Sequence, residues 1–255
     1  MAPRNKRKSR LAPFAACWPR FALLAMVALL SGCAGRSTGL VPQQQTVVAQ
    51  LDASTPLRST LSRMAPVFVL RGAQAAHNRI GRVEASGTQE NETLAVNPDV
   101  PVVYAEARPF VTENGRYTNL IYRIHFPELP YSLIPFHLGA GRHVGLLVIL
   151  TLDAEQRVLL ATLAQTCGCY TVSIPTQSLP TALYPDDWPQ TALAVQGERL
   201  PAALPEFRAA DGLYVVIRED VHRVMALEVA ARNSLPTEPV RQAEMRELEI
   251  GRAHV

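Results

Sequence analysis

Residues 117–126 constrain the fold more than any other stretch. Along them Leu120, Tyr122, Ile124 and Phe126 fall on one face, and Asn119, Ile121, Arg123 and His125 on the other. A period of two with one mostly apolar face is what a half-buried strand needs. Residues 101–108 form a second apolar run, and Thr112-Glu113-Asn114-Gly115 lies between the two. Asn-Gly between apolar runs predicts a hairpin, which commits this region to antiparallel sheet.

The same texture continues. Val67-Phe68-Val69-Leu70 is a short apolar run, and residues 144–152 are apolar on both faces, as a central strand would be. Asp153-Ala154-Glu155-Gln156 turns the chain, and residues 157–166 return as another strand. Later strands are predicted over residues 213–218 and 222–229, pairing across Glu219-Asp220. At the two ends the pattern changes. Residues 46–64, with Val47, Val48, Leu51, Leu57 and Leu61 as apolar points, predict a helix interrupted at Pro56. Residues 240–250 (V-R-Q-A-E-M-R-E-L-E-I) have helical composition and predict a C-terminal helix. Between these lies a proline-rich excursion at 175–205. Prolines 175, 180, 185, 189, 201 and 205 remove ladder donors, so this segment is expected to wrap irregularly on the sheet. The expected fold is α+β or mainly β: a mostly antiparallel, sandwich-like sheet with N-terminal and C-terminal helices.

The first 32 residues follow another logic. A basic leader (Arg4, Lys6, Arg7, Lys8, Arg10) precedes the apolar run 21–30, which ends in Leu30-Ser31-Gly32-Cys33. This is the layout of a secretory signal. Ten apolar residues fall short of the roughly 20 that a spanning helix needs. There is no twin arginine beside the run, so Sec export is expected. The Leu-Ser-Gly-Cys ending resembles the lipobox of bacterial prolipoproteins. That resemblance implies that the chain is cut before Cys33 and that Cys33 becomes the acylated amino terminus. Several acyl chains anchor stably, at roughly 0.8 kcal/mol per buried methylene. Ala34 in place of aspartate implies, by the same resemblance, an outer-membrane protein facing the periplasm. The implied organisation is a signal peptide at 1–32, acylated Cys33 with a flexible tether at 33–45, and one β-rich periplasmic domain at 46–255. As a coil, the tether would reach about 20 Å.

Loss of the leader changes the charge. Six of the 25 basic residues leave and none of the 22 acidic ones, so the formal net charge moves from +3 to −3. A mildly acidic exported domain has no electrostatic reason to bind nucleic acid. Both lysines leave as well, which excludes Schiff-base lysine chemistry, a Walker-A lysine and a Ser–Lys dyad. The patterns H-E-x-x-H, G-x-G-x-x-G and the P-loop are missing from the sequence, and its one G-x-S-x-G, Gly35-Arg36-Ser37-Thr38-Gly39, lies within the tether at 33–45 rather than at a strand-to-helix turn. That argues against the commonest hydrolase and nucleotide-binding classes.

Cys167-Gly168-Cys169-Tyr170 is the one local motif with chemical content, and three readings stay open. A Cys167–Cys169 disulfide would close a very small ring in an oxidising compartment. The two thiolates could instead hold zinc or copper, with His143 and His137 as the nearest further ligands. Or both thiols could pack as small hydrophobes. The motif, with His77-Asn78-Arg79-Ile80-Gly81 upstream, resembles a group of bacterial proteins without an assigned activity. In such sequences a histidine often sits close to the cysteines, whereas Gln165 and Tyr170 stand there in this chain. Asp186-Asp187-Trp188 joins carboxylates to an aromatic ring, as a sugar site does, although adjacent residues in such a loop are commonly a solvated turn. Two functions are therefore expected: a non-enzymatic, acyl-tethered envelope protein that binds or assembles another envelope component, or a metal-binding or thiol-redox protein working through Cys167 and Cys169.

Overall fold

The structure, a computed structural model, describes residues 47–51, 60–88, 91–133, 140–142, 144–168, 170–236 and 238–244. All of them belong to the unit Ser37–Val255.

The predicted hairpin is formed by β5 (Val102–Thr112) and β6 (Gly115–His125), paired antiparallel up to Thr112↔Gly115. Leu120, Tyr122, Ile124 and Phe126 are all buried, as their alternation requires. The turn apex is Glu113-Asn114, one residue earlier than Asn-Gly suggests. Gly115, with φ +141°, opens the second strand. The Asn114 N–H donates to Thr112 Oγ1 at 3.1 Å and closes the turn from within.

From β6 the sheet grows antiparallel through β9 (Gly145–Leu152), β10 (Val158–Gln165) and β11 (Thr171–Pro175). β9 lies between two partners, as its apolar composition predicts. The Asp153 turn is fixed by its carboxylate, which accepts the Arg157 N–H and the Arg157 guanidinium, each at 2.8 Å. β11 stands at the sheet edge and ends in Pro175, a position where a missing N–H is tolerated.

The other half of the sheet is less local. β1 (Val47–Leu51), β2 (Val67–Leu70), β14 (Asp211–Ile217), β15 (Val224–Ala231) and β16 (Glu238–Glu244) complete the order β11-β10-β9-β6-β5-β16-β1-β2-β14-β15. β16 runs parallel to both β1 and β5, and β14 runs parallel to β2. Phe68, Leu70, Leu213, Val215 and Ile217 from this half share one core with Leu120, Leu146, Leu163 and Ile174 from the other. Two sheet halves facing one core make the molecule mainly β and sandwich-like.

Both predicted terminal helices are corrected. The N-terminal stretch gives strand β1 and one four-residue helix, α1 (Thr60–Arg63). The C-terminal stretch gives strand β16, and residues 245–250 lie outside the described residues. Strand pairing on both sides of β16 overrides its local helical propensity.

Small hairpins fill the connections: β3 (Arg82–Ser86) with β4 (Thr93–Asn97), and β7 (Glu128–Leu129) with β8 (Gly141–Arg142). The excursion is more regular than expected, for it contains β12 (Ala192–Val195) paired with β13 (Glu198–Pro201). Gln196 at φ +47° and Gly197 at φ +86° form the two-residue turn. Two successive positive φ values match the twist of a tight hairpin.

Candidate functional site

The Cys167 corner follows directly from the end of β10. The Gln165 N–H donates to the Tyr170 carbonyl and the Gly168 N–H to the Gln165 carbonyl, both at 2.9 Å, with Gly168 at φ +73°. Cys167 is exposed and disulfide-bonded, and its partner lies outside the described residues. Its sulfur approaches Gln165 Oε1 at 3.9 Å, a contact only, since a disulfide sulfur has no hydrogen to donate. Cys33, Cys169, His137 and His143 all lie outside the described residues. In its bonded state Cys167 offers no thiolate to zinc or copper. Among the described residues no group of three His, Cys, Asp or Glu converges on a metal position.

A turn closed by Leu152↔Val158, one residue longer than 153–156, and a bulge between Val158 and Leu160 together set the register beside this corner. The partner of Thr166 is Gly145, with reciprocal bonds of 2.8 and 2.9 Å, rather than residue 143 as a plain hairpin would give. The approach is close: a Cβ on Gly145 would sit 2.8 Å from the Ile124 carbonyl oxygen. Tyr170 is buried beneath the corner, and burial pushes its hydroxyl well above the usual range, with the nearby Glu198 charge adding to the shift.

Gln165 ties this corner to a polar node that the sequence did not reveal. Its Nε2 donates to the Val221 carbonyl at 3.0 Å. Val221 lies in the β14–β15 turn, where Asp220 (φ +62°) and His222 (φ +50°) both occupy the left-handed region. Non-glycine residues seldom do so without support from their surroundings. Asn78 supplies that support. Its Oδ1 accepts the Asp220 N–H at 2.8 Å and lies 3.2 Å from His222 Nε2, and its Nδ2 donates to the Gly72 carbonyl at 3.1 Å. His77, in the same 3₁₀ turn (Ala76–Asn78), places Nε2 2.8 Å from Asp220 Oδ1.

The electrostatics follow from this geometry. His222 is buried and stacks on Phe126, with ring centroids 4.0 Å apart and planes 3° apart. Burial, then the proximity of His77, lowers its pKa to about 4. Because Asn78 Oδ1 only accepts, His222 Nε2 carries the hydrogen of a neutral ring. The Asp220 carboxyl is held below its ordinary value, chiefly by the hydrogen bond from His77. His77 and Asp220 are paired as the base and acid of a hydrolytic triad are, but among the described residues no hydroxyl or thiol is hydrogen-bonded to His77. Asn78 has both ends of its amide engaged with the fold, so the node acts as a brace. The sequence signal for it was weak: Asp220 reads as part of a strand connection and His222 as the start of a strand, both more than 140 residues from Asn78.

A second region has its polar groups arranged otherwise. The excursion encloses a half-open cleft of about 540 Å³, whose lining includes Gln177, Tyr184, Asp186, Trp188 and Gln190. Asp186 and Asp187 are exposed and Trp188 is half-buried. Trp188 Nε1 donates to the Ala202 carbonyl at 2.8 Å, and the Tyr184 hydroxyl to the Thr176 carbonyl at 3.2 Å. The Arg218 guanidinium grips Glu198 of β13 through two bonds of 2.5 and 2.9 Å, joining the excursion to the node. No protein-family model, no curated protein and no solved structure matches the chain.

Proposed function

We propose that this chain is an outer-membrane lipoprotein facing the periplasm, held by acyl chains on Cys33, whose β-rich domain binds or helps assemble another envelope component without turnover chemistry. The observation that carries the reading is Leu30-Ser31-Gly32-Cys33 immediately after a basic leader and the apolar run 21–30. Its partners are then the membrane, through the acyl chains, and an envelope component, with no role for nucleic acid. The disulfide at Cys167 supports an oxidising compartment.

The test is fractionation with mass measurement. The native chain should pellet with outer membranes, begin at Cys33 and carry acyl mass, and Cys33→Ser should release it or leave it unprocessed. A native chain that carries no acyl mass on Cys33, or a Cys33→Ser chain cut to mature length that still pellets with outer membranes, would end the reading. One observation keeps a thiol-redox role in view: Cys167 is both disulfide-bonded and exposed, so a reductant can reach it. Cycling of that bond under mild dithiol, with a partner protein trapped by Cys169→Ser, would favour it.

A further inference from the structure

We propose that the cleft of the proline-rich excursion binds a neutral saccharide, a short run of hexopyranose rings. The proposal depends on the lipoprotein reading only for where the sugar comes from. A pyranose presents an apolar C–H face and a polar hydroxyl rim, so a site for it needs fixed aromatic surface with donors and acceptors at the edge. Trp188 and Tyr184 provide the surface. Their rings meet edge to face, with centroids 6.2 Å apart and planes at 73°. Each is anchored by its own polar tip, Trp188 on Ala202 and Tyr184 on Thr176. What each contributes to the cleft is therefore ring.

Gln177, Asp186 and Gln190 provide the edge, two amides and one carboxylate that accepts; Gln190 Nε2 donates one hydrogen to the Trp188 carbonyl at 3.5 Å and keeps its second hydrogen and its oxygen for a ligand. The volume of about 540 Å³ falls in the small-molecule range. Charge selects among candidate ligands. Asp186 lines the cleft, Asp187 follows it, and no arginine or histidine is among the lining residues. An anion such as a phosphate or a uronate would be repelled. A purely apolar ligand would strip water from the amides and the carboxylate without replacing its hydrogen bonds.

The site is also built in advance. Pro180, Pro185 and Pro189 fix φ along the loop. The Gln177 N–H bonds to the Leu204 carbonyl and the Leu204 N–H to the Pro175 carbonyl, each at 2.9 Å, closing the loop at its base. A loop held in this way loses little freedom on binding.

The chain holds two tryptophans, Trp18 and Trp188. In the full chain, purified in mild detergent and carrying Trp18→Phe, Trp188 emission reports directly on the cleft. Maltotriose or triacetylchitotriose should shift it saturably, and trigalacturonate should not. Asp186→Asn and Gln190→Ala should each weaken the neutral sugar about tenfold. By calorimetry, Trp188→Ala should abolish binding and Trp188→Phe should retain part of it. No saturable shift with either neutral trisaccharide, equal affinity in the variants, or equal affinity for trigalacturonate would overturn the proposal. Retention on insoluble peptidoglycan, competed by the trisaccharide, identifies the wall polymer as the source. Trisaccharide binding without retention identifies a free oligosaccharide, and either source keeps the site. The anchor is scored separately by fractionation, so a chain that binds sugar but does not pellet removes the envelope reading and leaves the cleft standing.

Discussion

The β14–β15 turn and the proline-rich excursion are joined by the Glu198–Arg218 ion pair, yet they use their polar side chains in opposite ways. In the turn, Asn78 and His222 are buried, and Asn78 directs its amide at backbone and ring nitrogen to hold two left-handed residues. In the excursion, Trp188 and Tyr184 fix their polar tips on backbone carbonyls, while Gln177, Asp186 and Gln190 border open space. The first arrangement directs polar chemistry into stability. The second leaves it available to a ligand. The histidine–aspartate pair packs against a braced turn, and the acidic residue Asp186 borders a cleft beside Trp188.

The comparison is tested most severely at Asn78. Asn78→Ala removes the acceptor for the Asp220 N–H and the His222 ring N–H and the donor to Gly72. Each buried group left unpaired costs about 1–3 kcal/mol, and the two left-handed residues lose their support. Urea unfolding should show a loss of about 4 kcal/mol. A loss smaller than that of any excursion variant would reverse the comparison.

Acid should find the same turn. The folded His222 pKa of about 4 lies below the value of 6.5 expected for an ordinary histidine, so on acidification the unfolded chain takes up the proton first. Stability is complete above about pH 6.5 and falls as the pH drops toward 4, by about 3 kcal/mol. Asp220, whose carboxyl is held below its ordinary value by His77, adds a loss of the same sign at still lower pH. Denaturation midpoints between pH 7 and 4 should show this slope, and His222→Gln, which keeps a donor for Asn78, should flatten it. An unchanged slope in that variant would move the titration elsewhere.

What the sequence made legible follows from distance along the chain. The β5–β6 and β9–β10 pairs each turn back within a few residues, so strand patterns and turn residues suffice for them, whereas β11 (Thr171–Pro175) is not among the expected strands and β6 reaches β9 only across residues 126–144. The part of β16 inside the expected helix at 240–250 has helical composition, because Arg241, Gln242, Ala243 and Glu244 are ordinary helix formers. What makes it a strand is the space between β1 and β5, which no local window contains. The node was hidden for the same reason, since Asn78 meets Asp220 and His222 across 142 and 144 residues. Gln196-Gly197 is a different kind of miss. The glycine signal lies between Val195 and Leu200, but Pro189 and Pro201 on either side speak against a sheet and mask the hairpin.

The excursion's own variants should cost less stability than Asn78. Trp188→Ala removes a half-buried ring, its bond to Ala202 and its contact with Tyr184. A fully buried tryptophan would lose about 3–5 kcal/mol, so a half-buried one in a loop should lose about 2 kcal/mol in the same urea series.

The smallest effect is expected at Asp186, and it separates the two regions most cleanly. Asp186 is exposed, and its side chain has no ion pair or hydrogen bond among the described residues. Asp186→Asn should leave the unfolding midpoint within about 0.5 kcal/mol of the native value. Asp220→Asn is chemically the same change but removes a carboxylate that holds His77, and it should register clearly. If both were silent, the node would be no brace. If both were costly, Asp186 would be a structural residue and the cleft would owe its shape to it. Only the asymmetric outcome, silent at 186 and costly at 220, agrees with a turn whose polar groups serve the fold and an excursion whose polar groups face a ligand.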